Sequence, residues 1–359
     1  MSQLTLKSLS KSYGAYKVFD DLNLEAVSGE IVVIFGGSGT GKTILLRLIA
    51  GVEDPTTGSV ELEGRDMTDV PPEYRNVGMA FQNFALFPHM SARDNIASAL
   101  RARSASRVET TTAVDAIAKL LKIEHVMGHA PRELSNGQKQ RTSLGRALAG
   151  KPKILLLDDP LRNVDAKLRY EMRLELPRLL RGSGATVLYV TQDYKEAMAL
   201  GDRIAVLQGG KFVQLANPVD IYERPATLQV AKLFGDPVIN STEAVIKSDR
   251  KNAHIEIAGY AIPLNAKFNR WQGKTVVVCF RPDTAKIGNS KTGIAVELLA
   301  VTPLNERVVL LLKTQGGQEF LASLPSSASV PKTGSILKVS IASADLHLFD
   351  KDTGERIDV

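Results

Sequence analysis

A single cysteine, Cys279, in a chain of 359 residues excludes an intramolecular disulfide. It stands in the apolar run Thr275-Val276-Val277-Val278-Cys279-Phe280, where a buried thiol is expected. Aromatic residues are few, at 6%. Long hydrophobic runs are missing too: no stretch reaches the ~18 apolar residues of a membrane-spanning helix. Nor does a basic n-region with an apolar run follow Met1-Ser2-Gln3-Leu4-Thr5, so no signal peptide is expected. Lys/Arg clusters are also missing. The net charge of +6 is spread along the chain, which argues against a nucleic-acid arm and predicts no nucleic-acid partner. What is present is an ordinary globular composition, 44% hydrophobic and 23% charged, with length for about two domains.

Short apolar segments alternate with helical ones through the first two-thirds. Ile31–Phe35, Lys153–Leu157 and Thr186–Val190 read as buried strands. Thr43–Ala50 reads as a helix, and Ala166–Leu180 carries Leu168, Met172, Leu176, Leu179 and Leu180 at helical spacing. Pro177 inside that pattern predicts a kink or break. Strands separated by helices imply a mainly parallel sheet covered on both faces. Ser91–Leu121 is alanine-rich without glycine and reads as part of a helical insertion spanning about residues 83–145. Beyond Phe234-Gly235-Asp236-Pro237 the chain turns β-like, in Ala253–Ile257, Thr275–Phe280, Ile294–Leu299, Val308–Lys313 and Ile336–Ile341. The expected organisation is an α/β P-loop nucleotide-binding domain with a helical insertion over 1–235. A C-terminal all-β, OB-like domain is expected over 236–359.

Gly36-Gly37-Ser38-Gly39-Thr40-Gly41-Lys42-Thr43 matches G-x-x-x-x-G-K-[ST] between a strand and a helix. Glycines let backbone N–H groups turn inward around phosphate oxygens, and the helix N-terminus adds positive potential. Lys42 can reach the β- and γ-phosphates, and the Thr43 hydroxyl can ligate Mg²⁺. Ile154-Leu155-Leu156-Leu157-Asp158-Asp159 is a buried strand ending in acid, which can hold Asp158 near that ion. These residues alone predict a P-loop nucleoside triphosphatase that works with Mg²⁺.

Leu134-Ser135-Asn136-Gly137-Gln138, just ahead of the second strand, resembles the LSGGQ signature of ABC ATPases. The resemblance covers the whole chain. It is closest to the ATPase subunits of bacterial sugar and polyol importers of the maltose-importer type, whose C-terminal β domain is regulatory. The resemblance implies further roles. Tyr13 would stack on adenine, with a surface tyrosine as the alternative. Gln82 would sense Mg²⁺ and the attacking water, and Phe84–Met90 would touch the membrane subunits. Asp165, in Asn163-Val164-Asp165, would lie near a dimer interface. Arg281-Pro282-Asp283 and Leu346–Asp350 resemble pieces of the C-terminal domain. The nucleotide of one chain would meet Ser135, Asn136, Gly137 and Gln138 of another.

The chain departs from that family at several positions. Asp159 stands where the family has a glutamate base, and its carboxylate would fall about 1 Å short of the water. Gln192 stands at the switch histidine and cannot carry an imidazolium charge. Asn136 replaces a signature glycine, and Arg162 stands where a small residue is usual. Two accounts follow: slow hydrolysis by a homodimer, or, the one these two departures favour, pairing with a second, different ATPase subunit that keeps Glu and His. The implied function is ATP binding and reduced hydrolysis coupled to import of a sugar or a polyol such as glycerol. The implied partners are two transmembrane permease subunits and, indirectly, a periplasmic or extracellular solute-binding protein. The implied location is peripheral, on the cytoplasmic face of the inner membrane. Rival readings are a regulatory nucleotide-binding subunit without turnover, and a nontransport ABC ATPase of translation or DNA repair.

Overall fold

The computed structural model describes residues 2–249, 252–288 and 292–357. The chain divides into two compact units, residues 1–218 and 219–359.

The first unit runs β1 (Ser2–Tyr13), β2 (Tyr16–Val27), β3 (Ile31–Phe35), α1 (Lys42–Ala50), β4 (Thr57–Leu62), β5 (Arg65–Asp66) and β6 (Val77–Ala80). It continues with α2 (Ala92–Arg101), α3 (Arg107–Leu121), α4 (Asn136–Ala149), β7 (Ile154–Asp158), α5 (Ala166–Gly182), β8 (Thr186–Thr191), α6 (Tyr194–Leu200), β9 (Arg203–Gln208) and β10 (Lys211–Ala216). Six strands form a sheet in the order β10-β9-β3-β8-β7-β6. Its β9-β3-β8-β7-β6 portion is parallel, and β10 is antiparallel at one edge. Every residue of β3, β7 and β8 is buried, as continuous Val/Ile/Leu runs require in a sheet covered on both faces.

A second, antiparallel sheet of order β2-β1-β4-β5 packs into the same core. Helix α1 contributes Leu45, Leu46, Leu48 and Ile49 to that core, each fully buried and each stabilising by about 2 kcal/mol through area burial. The antiparallel sheet was not anticipated from the sequence. Register shifts between Leu6 and Leu9 and again beyond Leu9 break the period-2 alternation that would have revealed β1. The Ser91–Leu121 segment forms helices as expected, α2 and α3. Ser106 starts α3 through a reciprocal capping box with Glu109. Helix α5 runs through Pro177 without ending. Met172, Leu176 and Leu180, four residues apart and buried, hold it on either side of the missing hydrogen bond.

The second unit opens with α7 (Pro218–Glu223) and α8 (Leu228–Leu233), which the strand pattern did not register. Ten strands follow, in chain order: β11 (Asn240–Asp249), β12 (Asn252–Ile257), β13 (Tyr260–Pro263), β14 (Thr275–Phe280), β15 (Lys286–Gly288), β16 (Ile294–Pro303), β17 (Arg307–Thr314), β18 (Glu319–Pro325), β19 (Ile336–Ser340) and β20 (Leu346–Asp350). They form two five-stranded sheets, β13-β12-β11-β14-β20 and β15-β19-β16-β17-β18, around one apolar core. This is the all-β, OB-like architecture expected for the C-terminal part. Arg281 is buried, and its guanidinium donates to the carbonyls of Tyr222 (2.8 Å), Ala231 (3.1 Å) and Phe234 while lying 4.0 Å from the Tyr222 ring centroid. One residue thus ties α7 and α8 to the end of β14. Cys279 is buried as expected, and burial pushes its thiol up to about 12.

Candidate functional site

In an open parallel sheet, ligands bind beyond the carboxyl ends of the strands. Here four adjacent strands deliver the relevant residues to that end. Gly36 follows β3, Gln192 follows β8, Asp158 closes β7 and Gln82 follows β6. A cavity of about 280 Å³ opens there. Its walls include Lys42, Thr43, Gln82, Asp158, Asp159 and Gln192, with Arg162 beside them.

Two glycines of the loop, Gly36 and Gly41, are required by space, and Gly41 by dihedral as well. Gly41 has φ +92°, and a Cβ on it would lie 2.7 Å from Val18 and 2.8 Å from the Phe19 ring. A Cβ on Gly36 would come within 2.6 Å of the Leu207 carbonyl oxygen. No side chain caps α1, so its first N–H groups face the loop without a side-chain partner. Lys42 is 6% exposed. Its ammonium donates to the carbonyls of Gly36 (2.9 Å) and Gly37 (2.6 Å), and burial lowers its pKa. These are weak competitors for a phosphate, because a carbonyl carries no net charge.

The Thr43 hydroxyl donates to both carboxylate oxygens of Asp158, at 3.0 and 3.1 Å. Burial raises the Asp158 pKa, and the Thr43 hydrogen bond partly offsets that. Asp159 follows at φ +44°, a left-handed conformation that aspartate tolerates better than most residues. Its N–H is fixed by the Val190 carbonyl at 2.9 Å. Burial pushes its carboxyl up to about 6, with Arg162 and Lys42 pulling the other way. At neutral pH it is mostly ionised and can accept a proton.

Hydroxyl, carboxylate and amide oxygens of Thr43, Asp158 and Gln82 suit a hard, oxygen-seeking cation. Among the described residues no cluster of three His, Cys, Asp or Glu could hold a metal. With one carboxylate, that donor set fits a hard divalent cation bound partly through substrate phosphates.

Two groups of expected residues lie elsewhere. Tyr13 is half exposed and outside the cavity walls, its hydroxyl donating to Glu53 and Lys11 Nζ lying 4.9 Å from its ring centroid. Ser135 caps α4 through a reciprocal box with Gln138, Ser135 Oγ accepting from the Gln138 N–H (3.3 Å) and the Ser135 N–H reaching Gln138 Oε1 (2.9 Å). Ser135 and Asn136 are exposed, Gly137 packs against Leu168, and none of the four lines the cavity.

Sequence reasoning missed Glu196. Tyr189 OH (2.8 Å) and Thr191 Oγ1 (2.9 Å) both donate to its buried Oε2. Burial pushes this carboxyl up to about 7. Below the ordinary value of 4.5 it is neutral folded or unfolded and costs nothing. As pH rises from there through about 7, the unfolded chain ionises more readily and the fold loses stability. Glu196→Gln keeps an acceptor for both hydroxyls and removes the buried charge. The variant is expected to match the parent near the acidic limit and to gain about 2–3 kcal/mol at roughly pH 8, read as a pH-dependent difference in Tm. An equal difference at both pH values would contradict this.

A family model described as ABC transporter matches residues 19–162. The sn-glycerol-3-phosphate import ATP-binding protein UgpC of Yersinia pseudotuberculosis serotype I (strain IP32953) is 38% identical over 359 residues, covering 100% of both chains. UgpC of Escherichia coli O1:K1 / APEC is 36% identical over 362 residues, covering 99% of this chain and 100% of the relative. Among solved structures, a dimeric post-hydrolysis state of the ATP-binding cassette MJ0796 bound to ADP and Pi superposes with TM-score 0.54 at 30% identity. It covers 60% of this chain and 98% of that one.

Proposed function

The chain belongs to the ABC transporter ATPases, in the class of sugar and polyol importers, and from that premise we propose that its ATP turnover drives uptake of sn-glycerol 3-phosphate. It is an ATP-binding subunit of a solute importer, and such a subunit works with membrane permease partners. No helix of the described residues is long and apolar enough to cross a membrane, so coupling requires those partners. We place the subunit on the cytoplasmic face of the inner membrane, held there by the permeases.

The single observation that carries the mechanism is the convergence of Lys42, Thr43, Asp158, Asp159, Gln192 and Gln82 on one cavity. In this reading the loop amides and Lys42 bind the β- and γ-phosphates. Thr43, Asp158 and Gln82 would hold Mg²⁺, which when bound neutralises phosphate charge. Asp159 takes the proton of the attacking water. Gln192 donates a hydrogen bond to the γ-phosphate. Ser135, Asn136, Gly137 and Gln138 of a second ATPase chain close the nucleotide from the other side, Ser135 and Asn136 being exposed on their own chain. Tyr13 would have to leave Glu53 to stack on adenine. The second unit, residues 219–359, acts as the regulatory domain and residues 1–218 as the catalytic one, where the sequence pattern set the boundary after residue 235.

The relatives are matched end to end by this one chain, and a distinct second ATPase has no support among them. We therefore read the pair as two copies. Affinity purification from the native membrane, followed by mass spectrometry, is expected to return this chain and two permease subunits. Recovery of a second ATPase chain in equal amount would overturn the homodimer and leave the transporter reading intact.

A further inference from the structure

Resting on that reading, we propose that Arg162 is a catalytic residue, a cation supplied by the same chain that contacts the γ-phosphoryl oxygens in place of the charge Gln192 cannot carry. Four observations support it. First, Arg162 lines the same cavity as Lys42, Thr43, Asp159 and Gln192. It is therefore at the phosphate end of the site, not on a remote surface.

Second, its backbone is fixed while its side chain is free to move. Its N–H is bonded to the Asp159 carbonyl (3.2 Å), and the Val164 N–H to the Leu161 carbonyl (3.2 Å). Leu161 and Val164 are buried on either side. Arg169 Nη2 donates to the Arg162 carbonyl at 3.3 Å. The Arg162 side chain itself is 49% exposed.

Third, its contact with Asp159 is loose. Nη1 lies 3.8 Å from Asp159 Oδ2, beyond hydrogen-bond distance and without the paired geometry of a committed arginine–carboxylate bridge. Half-exposed pairs of this kind hold a side chain weakly. A triphosphate offers far more negative charge, and a guanidinium matches phosphate oxygens in a two-pronged fashion.

Fourth, the charge around the cavity asks for it. Gln192 is neutral, and beyond Lys42 the guanidinium of Arg162 is the other cation among the residues lining it. As the water oxygen bonds to the γ-phosphorus, the bond from phosphorus to the β,γ-bridging oxygen breaks and its electron pair leaves with ADP. The proton of the water passes to Asp159 and later to solvent. Negative charge concentrates on the equatorial and leaving oxygens, where a positioned guanidinium acts most strongly.

A double-mutant cycle tests the proposal in the complete complex with its permease partners, by single-turnover hydrolysis of radiolabelled ATP. Arg162→Ala is expected to lower the rate about 100-fold with little change in ATP affinity. In a Gln192→His background the same change is expected to cost less than about 5-fold, because the imidazole then supplies charge. Arg162→Lys should retain part of the rate, and guanidinium ion added to Arg162→Ala should restore some of it. Equal losses in both backgrounds, without rescue, would make Arg162 structural and overturn the proposal. A rise in rate would overturn it too, by making Arg162 a brake on Asp159. So would ATP binding with no hydrolysis in any background. Failure of the complex to bind ATP at all would instead sink the ATPase reading on which the proposal rests.

Discussion

Replacing Lys42 by alanine is expected to reduce ATP turnover by about 1000-fold or more and to weaken ATP binding by at least about 100-fold. The ammonium sits in a loop where Gly36 and Gly41 have no room for side chains, held by two neutral carbonyls and, at 3.4 Å, by the Thr40 hydroxyl. Burial already lowers its pKa, so its positive charge is costly to keep until an anion arrives. Alanine removes the charge and leaves the loop amides without their cationic partner. The fold should survive, since Leu45, Leu46, Leu48 and Ile49 of the same helix carry its packing. Circular dichroism would confirm that, and titration with a fluorescent ATP analogue would read the affinity. Unchanged binding would mean that the cavity is not the phosphate site.

Asp159→Glu is expected to act in the opposite direction, raising turnover by on the order of 100-fold. The extra methylene moves the carboxylate about 1 Å toward the water, without altering Asp158 or Thr43. The gain is opposed by the backbone: φ is +44° at this position, and glutamate tolerates it less well than aspartate. That penalty affects stability, not the reach of the side chain, and shows as a lower Tm beside a higher rate. Asp159→Asn in parallel should lose the residual activity. If Asp159→Glu slows the enzyme, the site is shaped around aspartate and the shortened base is not what limits it.

How much of this was legible in the sequence depends on how local the cause is. The phosphate loop was legible because its glycine, lysine and threonine act within eight consecutive residues. Asp158 was legible because an apolar run ending in acid identifies the end of a buried parallel strand. The C-terminal strands followed from short apolar, β-branched runs set between turn residues, as in β14 and β17. The bulged β1 and its sheet did not, since a register shift hides the alternation. Nor did Glu196, whose importance comes from two hydroxyls that β8 places over it. Arg162 was visible as an unusual residue, but its place in the cavity wall depends on the turn that follows Asp159. In each such case the information is carried by tertiary contact and leaves no pattern in the linear sequence.

The most direct test of the account is ATP-driven uptake of radiolabelled sn-glycerol 3-phosphate by the complex purified from native membranes and reconstituted in liposomes with its binding protein. Accumulation that requires ATP and disappears with Lys42→Ala is the predicted result. Uptake that persists in that variant, or a chain that purifies without any membrane-spanning partner, would contradict it.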